Sequence, residues 1–230
     1  MTGGASGIGR AIAEEGLACG WDVVVVDRDP APVGKAVIAD LSDTASTATA
    51  LDEVLAGGPV TRLVNNVGAV FPGPVQEQRL DQVDAAYALN LRCAVQCTQA
   101  LLPGMTEAGF GRIINMTTRA ALGKELRTAY AASKAGLIGL TRVWALELGP
   151  LGVTVNAIGP GPIATELFNR ANPPGAPRTE AIVNSVPVRR IGQPDDIAHA
   201  AGFFLDERAG FVNGQVLYVC GGLTVGVAPV

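Results

Sequence analysis

Short apolar runs alternate with longer stretches of helical periodicity along the 230 residues. That alternation predicts a parallel sheet covered by helices on both faces. Trp21–Val26 is β-branched and lacks polar alternation, as a strand buried on both sides requires. Arg62–Asn65, Arg112–Met116, Val153–Ala157 and Gln215–Val219 read as further strands. Ile8–Ala18, Ala45–Leu55, Leu80–Leu102, Ala129–Leu148 and Asp195–Leu205 carry apolar residues at helical spacing. Gly149-Pro150 stops the fourth of these helices. The segment Gly159–Arg190 is proline-rich and irregular, the profile of a lid or binding loop. With no repeat, linker or composition break, the expectation is one α/β domain over residues 1–230, with 159–190 as a substrate-binding lid.

Composition narrows the function classes. Charged residues make up 17% of the chain, against about 25% in an average soluble domain, so much surface is buried and part of it is expected in subunit contacts. The net charge is −4 and no basic run is longer than Arg189-Arg190, which argues against a nucleic-acid surface. No apolar run reaches the roughly 18–20 residues of a membrane span. There is no leader-like N-terminus, and the expected location is the cytoplasm. His199 is the only histidine, so His-based triads and His-ligated metals are largely excluded. Among the four cysteines, Cys93 and Cys97 lie four apart in a helical pattern and read as small buried hydrophobes.

Three constellations carry chemistry. Thr2-Gly3-Gly4-Ala5-Ser6-Gly7-Ile8-Gly9 is a glycine-rich turn that opens a helix, where bare backbone and free amides can receive a pyrophosphate. Asp27 ends the first strand about 20 residues on, where a carboxylate can accept both hydroxyls of an adenosine ribose. It would repel a 2′-phosphate, and no Lys or Arg lies within the glycine turn, where Ser6 sits instead. This favours NAD over NADP, with Arg28 beside Asp27 keeping NADP possible. Tyr130-Ala-Ala-Ser-Lys134 places a phenol and an ammonium on one helix face. A nearby ammonium stabilises phenolate, which equips the tyrosine as an acid or base.

With these residues the chain resembles the short-chain dehydrogenase/reductase family over essentially its whole length. Thr2–Gly9 is similar to the family's T-G-x3-G-x-G motif, with Gly3, Ser6, Gly7, Ile8 and Gly9 facing the cofactor. Asp40-Leu41 resembles the Asp-apolar pair beside the adenine, and Asn65-Asn66-Val67-Gly68 resembles N-N-A-G with valine for alanine. Pro160-Gly161-Pro162-Ile163-Ala164-Thr165 resembles P-G-x3-T, and Arg190–Ile197 and Asn213–Gln215 resemble the C-terminal signatures. The resemblance implies a Rossmann-type doubly wound parallel sheet. It also implies an oxidoreductase interconverting a secondary alcohol and a ketone by direct hydride transfer.

Within that resemblance Tyr130 exchanges a proton with the substrate oxygen, and Lys134 tunes the tyrosine and holds the nicotinamide ribose. Asn90 anchors a water in a proton relay, Ile163 and Thr165 hold the nicotinamide carboxamide, and Asn66, Gly68 and Pro160 line the cofactor. A homotetramer is also implied, built from the long helices. Three departures stand out. The usual catalytic serine is replaced by a threonine, Thr118 by its place just before Arg119-Ala120-Ala121, or Thr117 by the commoner spacing to Tyr130. Cys220 precedes Gly221-Gly222 where aspartate is common. The strand that should precede the glycine turn is missing, pointing to a truncated or misassigned start, a neighbouring segment filling the slot, or an impaired protein.

Phe168, Asn169, Arg170 and Arg178 of the lid are candidates for recognising an acidic group. The substrate classes left open are a 3-oxoacyl thioester, an alicyclic hydroxy acid or its thioester, a sugar or polyol, and a hydroxysteroid. The rival reading is a non-catalytic NAD-binding sensor or scaffold of the same fold.

Overall fold

Strands Val24–Asp27 (β1), Lys35–Ile38 (β2), Arg62–Asn65 (β3), Gly111–Met116 (β4), Val153–Pro160 (β5) and Val216–Val219 (β6) pair in parallel. The computed structural model describes residues 1–226. Helices Gly7–Ala18 (α1), Thr44–Leu55 (α2), Leu80–Tyr87 (α3), Cys93–Glu107 (α4), Thr128–Leu148 (α5), Glu166–Ala171 (α6), Pro177–Ser185 (α7) and Pro194–Leu205 (α8) lie between the strands. Among the described residues no helix is long and apolar enough to cross a membrane.

β1 pairs with β2, and β3 to β6 pair in sequence order. Thr2 joins these two groups through parallel bridges to Val26 of β1 and Asn65 of β3. The Thr2 amide donates to the Val64 carbonyl at 3.1 Å, the Gly3 amide to Val26 at 2.9 Å, and the Val26 amide to Met1 at 2.9 Å. The slot of the strand expected to be missing is therefore filled at its C-terminal end by Met1–Gly3. The resulting order, β2-β1-Thr2-β3-β4-β5-β6, is that of a doubly wound Rossmann-type sheet, with its crevice where the chain order reverses beside Thr2.

The two faces follow from strand alternation. Leu63, Ile113, Val153 and Val155 pack with α2, α4 and the end of α5, around Leu51, Leu101 and Met105. Val64, Ile114, Met116 and Ile158 point the other way, onto Ile12 of α1 and Ile197, Ala201 and Phe204 of α8. Cys93 and Cys97 are buried in the first of these layers, with their sulfurs 3.9 Å apart.

β2 is a strand the sequence expectation lacks, and three further elements differ from it. β1 begins at Val24 and includes Asp27. The expected helix over 80–102 is α3, a π-helical segment Ala88–Arg92, and α4, which runs through Pro103 to Glu107. The supposedly irregular 159–190 segment holds α6, capped by the Thr165 hydroxyl accepting from the Phe168 amide, and α7, which starts on Pro177.

Candidate active site

The crevice is built on glycines that leave no room for side chains. A Cβ on Gly9 would lie 1.9 Å from the Gly3 carbonyl oxygen and 2.6 Å from Nδ2 of Asn66. Gly3 has φ +70°, and a Cβ there would meet the Val67 backbone at 2.9 Å. Asn66, the residue after β3, braces the turn, donating through Nδ2 to the Gly3 carbonyl at 2.6 Å and to the Thr2 carbonyl at 3.2 Å. The Thr2 hydroxyl accepts from the Asn66 and Val67 amides. The turn is thus tied rigidly to β3, with Ser6 exposed at the start of α1 and its hydroxyl making no capping bond. Such a tightly folded turn at a helix N-terminus, with backbone amides free to donate, fits a dinucleotide pyrophosphate.

Asp27 stands at the end of β1 and accepts from the Ala5 amide at 3.0 Å and the Asp29 amide at 3.2 Å. Arg28 is exposed and reaches Asp29 at 3.5 Å. Asp40 is exposed and accepts from the Ser42 amide and hydroxyl, which hold its carboxyl below the usual carboxylate range, while Leu41 is buried beside it. Across the crevice, Thr165 comes against the glycine turn, its Cγ2 lying 3.2 Å from where a Gly7 Cβ would be. Ile163 is buried, and its carbonyl accepts the Thr165 amide at 2.8 Å; Pro160 closes β5 below it.

Tyr130 and Lys134 lie one turn apart on α5. Lys134 is buried and donates through Nζ to the carbonyls of Met116 at 2.8 Å and Val67 at 3.3 Å. Burial lowers its pKa to about 8. Gly68 permits this approach: a Cβ there would be 3.1 Å from both Lys134 Nζ and Asn90 Oδ1. Burial pushes the Tyr130 phenol up, while the Thr118 hydroxyl and the Arg127 cation beside it favour the phenolate. The expected dominance of Lys134 over the tyrosine is not what this arrangement has, because the ammonium faces backbone carbonyls.

The two threonines part here. Thr117 is buried and donates its hydroxyl to the Lys134 carbonyl at 2.8 Å, while Thr118 lies beside Tyr130 and its oxygen accepts the Ala120 amide. Asn90 sits in the π-helical segment, and its side chain is heavily engaged. Oδ1 accepts from the Ala69 amide at 2.7 Å, and Nδ2 donates to the Ala69 carbonyl and to Ser133 Oγ at 2.9 Å. Cys220 is buried, with its sulfur 3.3 Å from the Thr224 hydroxyl.

Sequence reasoning missed the polar ladder that seats α5. Asn65 Nδ2 donates to Asn115 Oδ1 at 2.9 Å, Asn115 Nδ2 to Thr141 at 2.9 Å, and Thr141 to the Leu137 carbonyl. It also missed Ser133, which joins Asn90 to α5 and whose only sequence signal is its place inside the Tyr130–Lys134 motif.

A family model described as Enoyl-(Acyl carrier protein) reductase matches residues 3–224. The chain is 35% identical over 236 residues to "(2S)-[(R)-hydroxy(phenyl)methyl]succinyl-CoA dehydrogenase subunit BbsD" of Thauera aromatica, covering 96% of this chain and 94% of that protein. It is 36% identical over 240 residues to D-threitol dehydrogenase of Mycolicibacterium smegmatis, covering 98% and 92%. Among solved structures, a chain described as a candidate NAD(P) dependent gluconate 5-dehydrogenase from Beutenbergia cavernae, with NADP bound at low occupancy, superposes with a TM-score of 0.92. That chain is 33% identical, with 98% of this chain and 95% of that one covered. On the fold, the crevice and these relatives together, the chain belongs to the short-chain dehydrogenase/reductase family of oxidoreductases.

Proposed function

We propose that the protein interconverts a secondary alcohol and a ketone with NAD, using Tyr130 as the acid or base. The observation that carries this reading is the meeting of the Tyr130 phenol and the Thr118 hydroxyl at the crevice, with the buried Lys134 ammonium one turn along α5. Bound nicotinamide would supply or accept the hydride. Tyr130 gives or takes the proton at the substrate oxygen. Thr118 donates a hydrogen bond to that same oxygen and fixes it. Lys134 holds positive charge beneath the site. Asn90 acts as a positioning residue, clamping Ala69 to Ser133 of α5. Residues 159–190, with α6 and α7, close over the substrate.

The test is a screen of secondary alcohols with NAD. Reduction of NAD by at least one of them is expected, and tight NAD binding with no turnover of any alcohol would favour a sensor instead. The same screen decides the nucleotide. A carboxylate at Asp27 would face a 2′-phosphate across a short distance, and like charges so placed cost several kcal/mol, so NAD should be preferred to NADP by about a hundredfold in kcat/KM. The relative with NADP bound makes this a sharp comparison. An equal rate with NADP contradicts the role given to Asp27.

The threonines separate by what they lose. Thr118→Val is expected to lower kcat by about a hundredfold, the cost of one hydrogen-bond donor aimed at the reacting oxygen, with Thr118→Ser largely restoring it. Thr117→Val should instead lower stability by about 0.5–1.5 kcal/mol, the net worth of the buried hydrogen bond its hydroxyl gives to the Lys134 carbonyl. Steady-state rates and thermal denaturation of the three variants read both outcomes. Equal kinetic loss in Thr117→Val and Thr118→Val overturns the assignment.

A further inference from the structure

Four cations lie on or near the segment that runs from Thr118 to Tyr130. Arg119 follows Thr118 directly in the 3-10 turn Arg119–Leu122, and Lys124 and Arg127 lie on the loop that leads into α5. Arg178 faces this loop from the first turn of α7. None of the four makes an ion pair among the described residues, a property they share with Arg92, Arg112, Lys134, Arg142 and Arg189.

The backbone holds them there. Leu126 has φ +60°, a conformation that non-glycine residues rarely adopt. Its carbonyl accepts from the Gly73 amide at 3.3 Å and from Arg127 Nη1 at 2.8 Å, and Gly73 forms a parallel bridge with Arg127. Arg127 is thereby fixed three residues before Tyr130, close enough to favour its phenolate. Partial desolvation, and then the like charges of Arg119, Arg127 and Arg178, hold the Lys124 ammonium below its ordinary value, while Glu125 is the one carboxylate that acts on it in the opposite sense.

We propose that Arg119, Lys124, Arg127 and Arg178 form an anion subsite, so that the alcohol or ketone is one that carries a carboxylate or phosphate a few bonds from its reacting carbon. This rests on the oxidoreductase reading and narrows its substrate class, setting aside neutral polyols and hydroxysteroids. Arg170, a lid residue expected to contact an acidic group, pairs with Glu166 at 3.2 Å and is not part of the subsite.

Two experiments on the whole chain decide it. In the first, kcat/KM is compared within charged and neutral pairs, 3-hydroxybutyrate against 3-hydroxybutanamide for a carboxylate, and glycerol 3-phosphate against 3-methoxypropane-1,2-diol for a phosphate. The charged member of at least one pair should lead by about tenfold to a hundredfold, the gain expected of a cleft lined by one sign of charge. That lead should shrink as salt is raised and fall toward one in the double variant Arg119→Gln/Arg178→Gln. The pair that shows the lead identifies the anion.

The second experiment needs no turnover: succinate and inorganic phosphate are titrated into the NADH-loaded protein by calorimetry. At least one should bind to the native chain, and binding should weaken at least tenfold in the double variant while NADH affinity holds. Turnover of the neutral members without charge preference, or anion binding that the double variant leaves unchanged, overturns the subsite and leaves the oxidoreductase reading intact. Anion binding without turnover of any alcohol keeps the subsite and overturns that reading.

Discussion

Tyr130→Phe is expected to lower the rate of alcohol oxidation by about a thousandfold, while NAD affinity and thermal stability stay near those of the native chain. General acid–base groups are worth roughly 10²–10⁴ in rate. The substitution removes one hydroxyl and leaves the half-buried ring in place. Steady-state kinetics and nucleotide titration measure the two quantities separately, and a variant that keeps a tenth of the native rate would sink the role. The pH profile adds a sign. Lys134, buried beneath the site, sheds its proton near pH 8. Oxidation needs a proton acceptor and should gain as pH rises through that region, whereas reduction needs a donor and should lose.

Gly9→Ala is expected to abolish measurable nucleotide binding and to lower thermal stability together. Gly9 is not among the positive-φ glycines, so the objection to alanine is space alone. The added methyl would sit 1.9 Å from the Gly3 carbonyl, itself held by Asn66 at 2.6 Å. The Gly3 carbonyl is backbone and cannot swing aside as a side-chain end could, so the turn must open. Overpacking of this kind costs about 1–3 kcal/mol or more, and it falls on the amides that would receive the pyrophosphate. Gly139→Ala is the internal control. It lies exposed on α5 with nothing within 4 Å of its Cβ, and helix propensity predicts a gain of up to about 1 kcal/mol. Thermal denaturation and NADH fluorescence should separate the two variants cleanly, and a Gly9→Ala variant with native affinity would contradict the geometry.

What could be read from the sequence was whatever repeats within a few residues. The buried runs of β3, β4 and β5 and the apolar faces of α1, α2, α5 and α8 each declare themselves locally. β2 did not, because in Lys35–Ile38 only Val37 is buried, and a four-residue edge strand leaves almost no periodic signal. The end expected at Leu102 was misplaced because Pro103 reads as a stop. In the fold Met105 is fully buried beyond it, and that packing outweighs the lost hydrogen bond. The Tyr130–Lys134 pair was legible because a helix brings residues four apart together. The Asn90–Ser133 and Asn65–Asn115–Thr141 contacts join residues 26 to 50 positions apart, and no local pattern announces them. The nearness of Arg178 to Arg119, Lys124 and Arg127 is of the same kind, since Arg178 comes from α7, some fifty residues on.

The π-helical turn at Ala88–Arg92 works as a phase shifter. α3 faces α5, and α4 faces α2 and the sheet. An unbroken α-helix advances about 100° per residue and could not serve both neighbours with one apolar stripe. The wider turn absorbs the mismatch, and Asn90 sits inside it, aimed at Ala69. Removing a single residue there would turn the whole of α4 by about 100° relative to α3. The helix would then have to give up either its seat on the sheet or the clamp beneath the crevice, so the number of residues between Tyr87 and Cys93 matters as much as their identity.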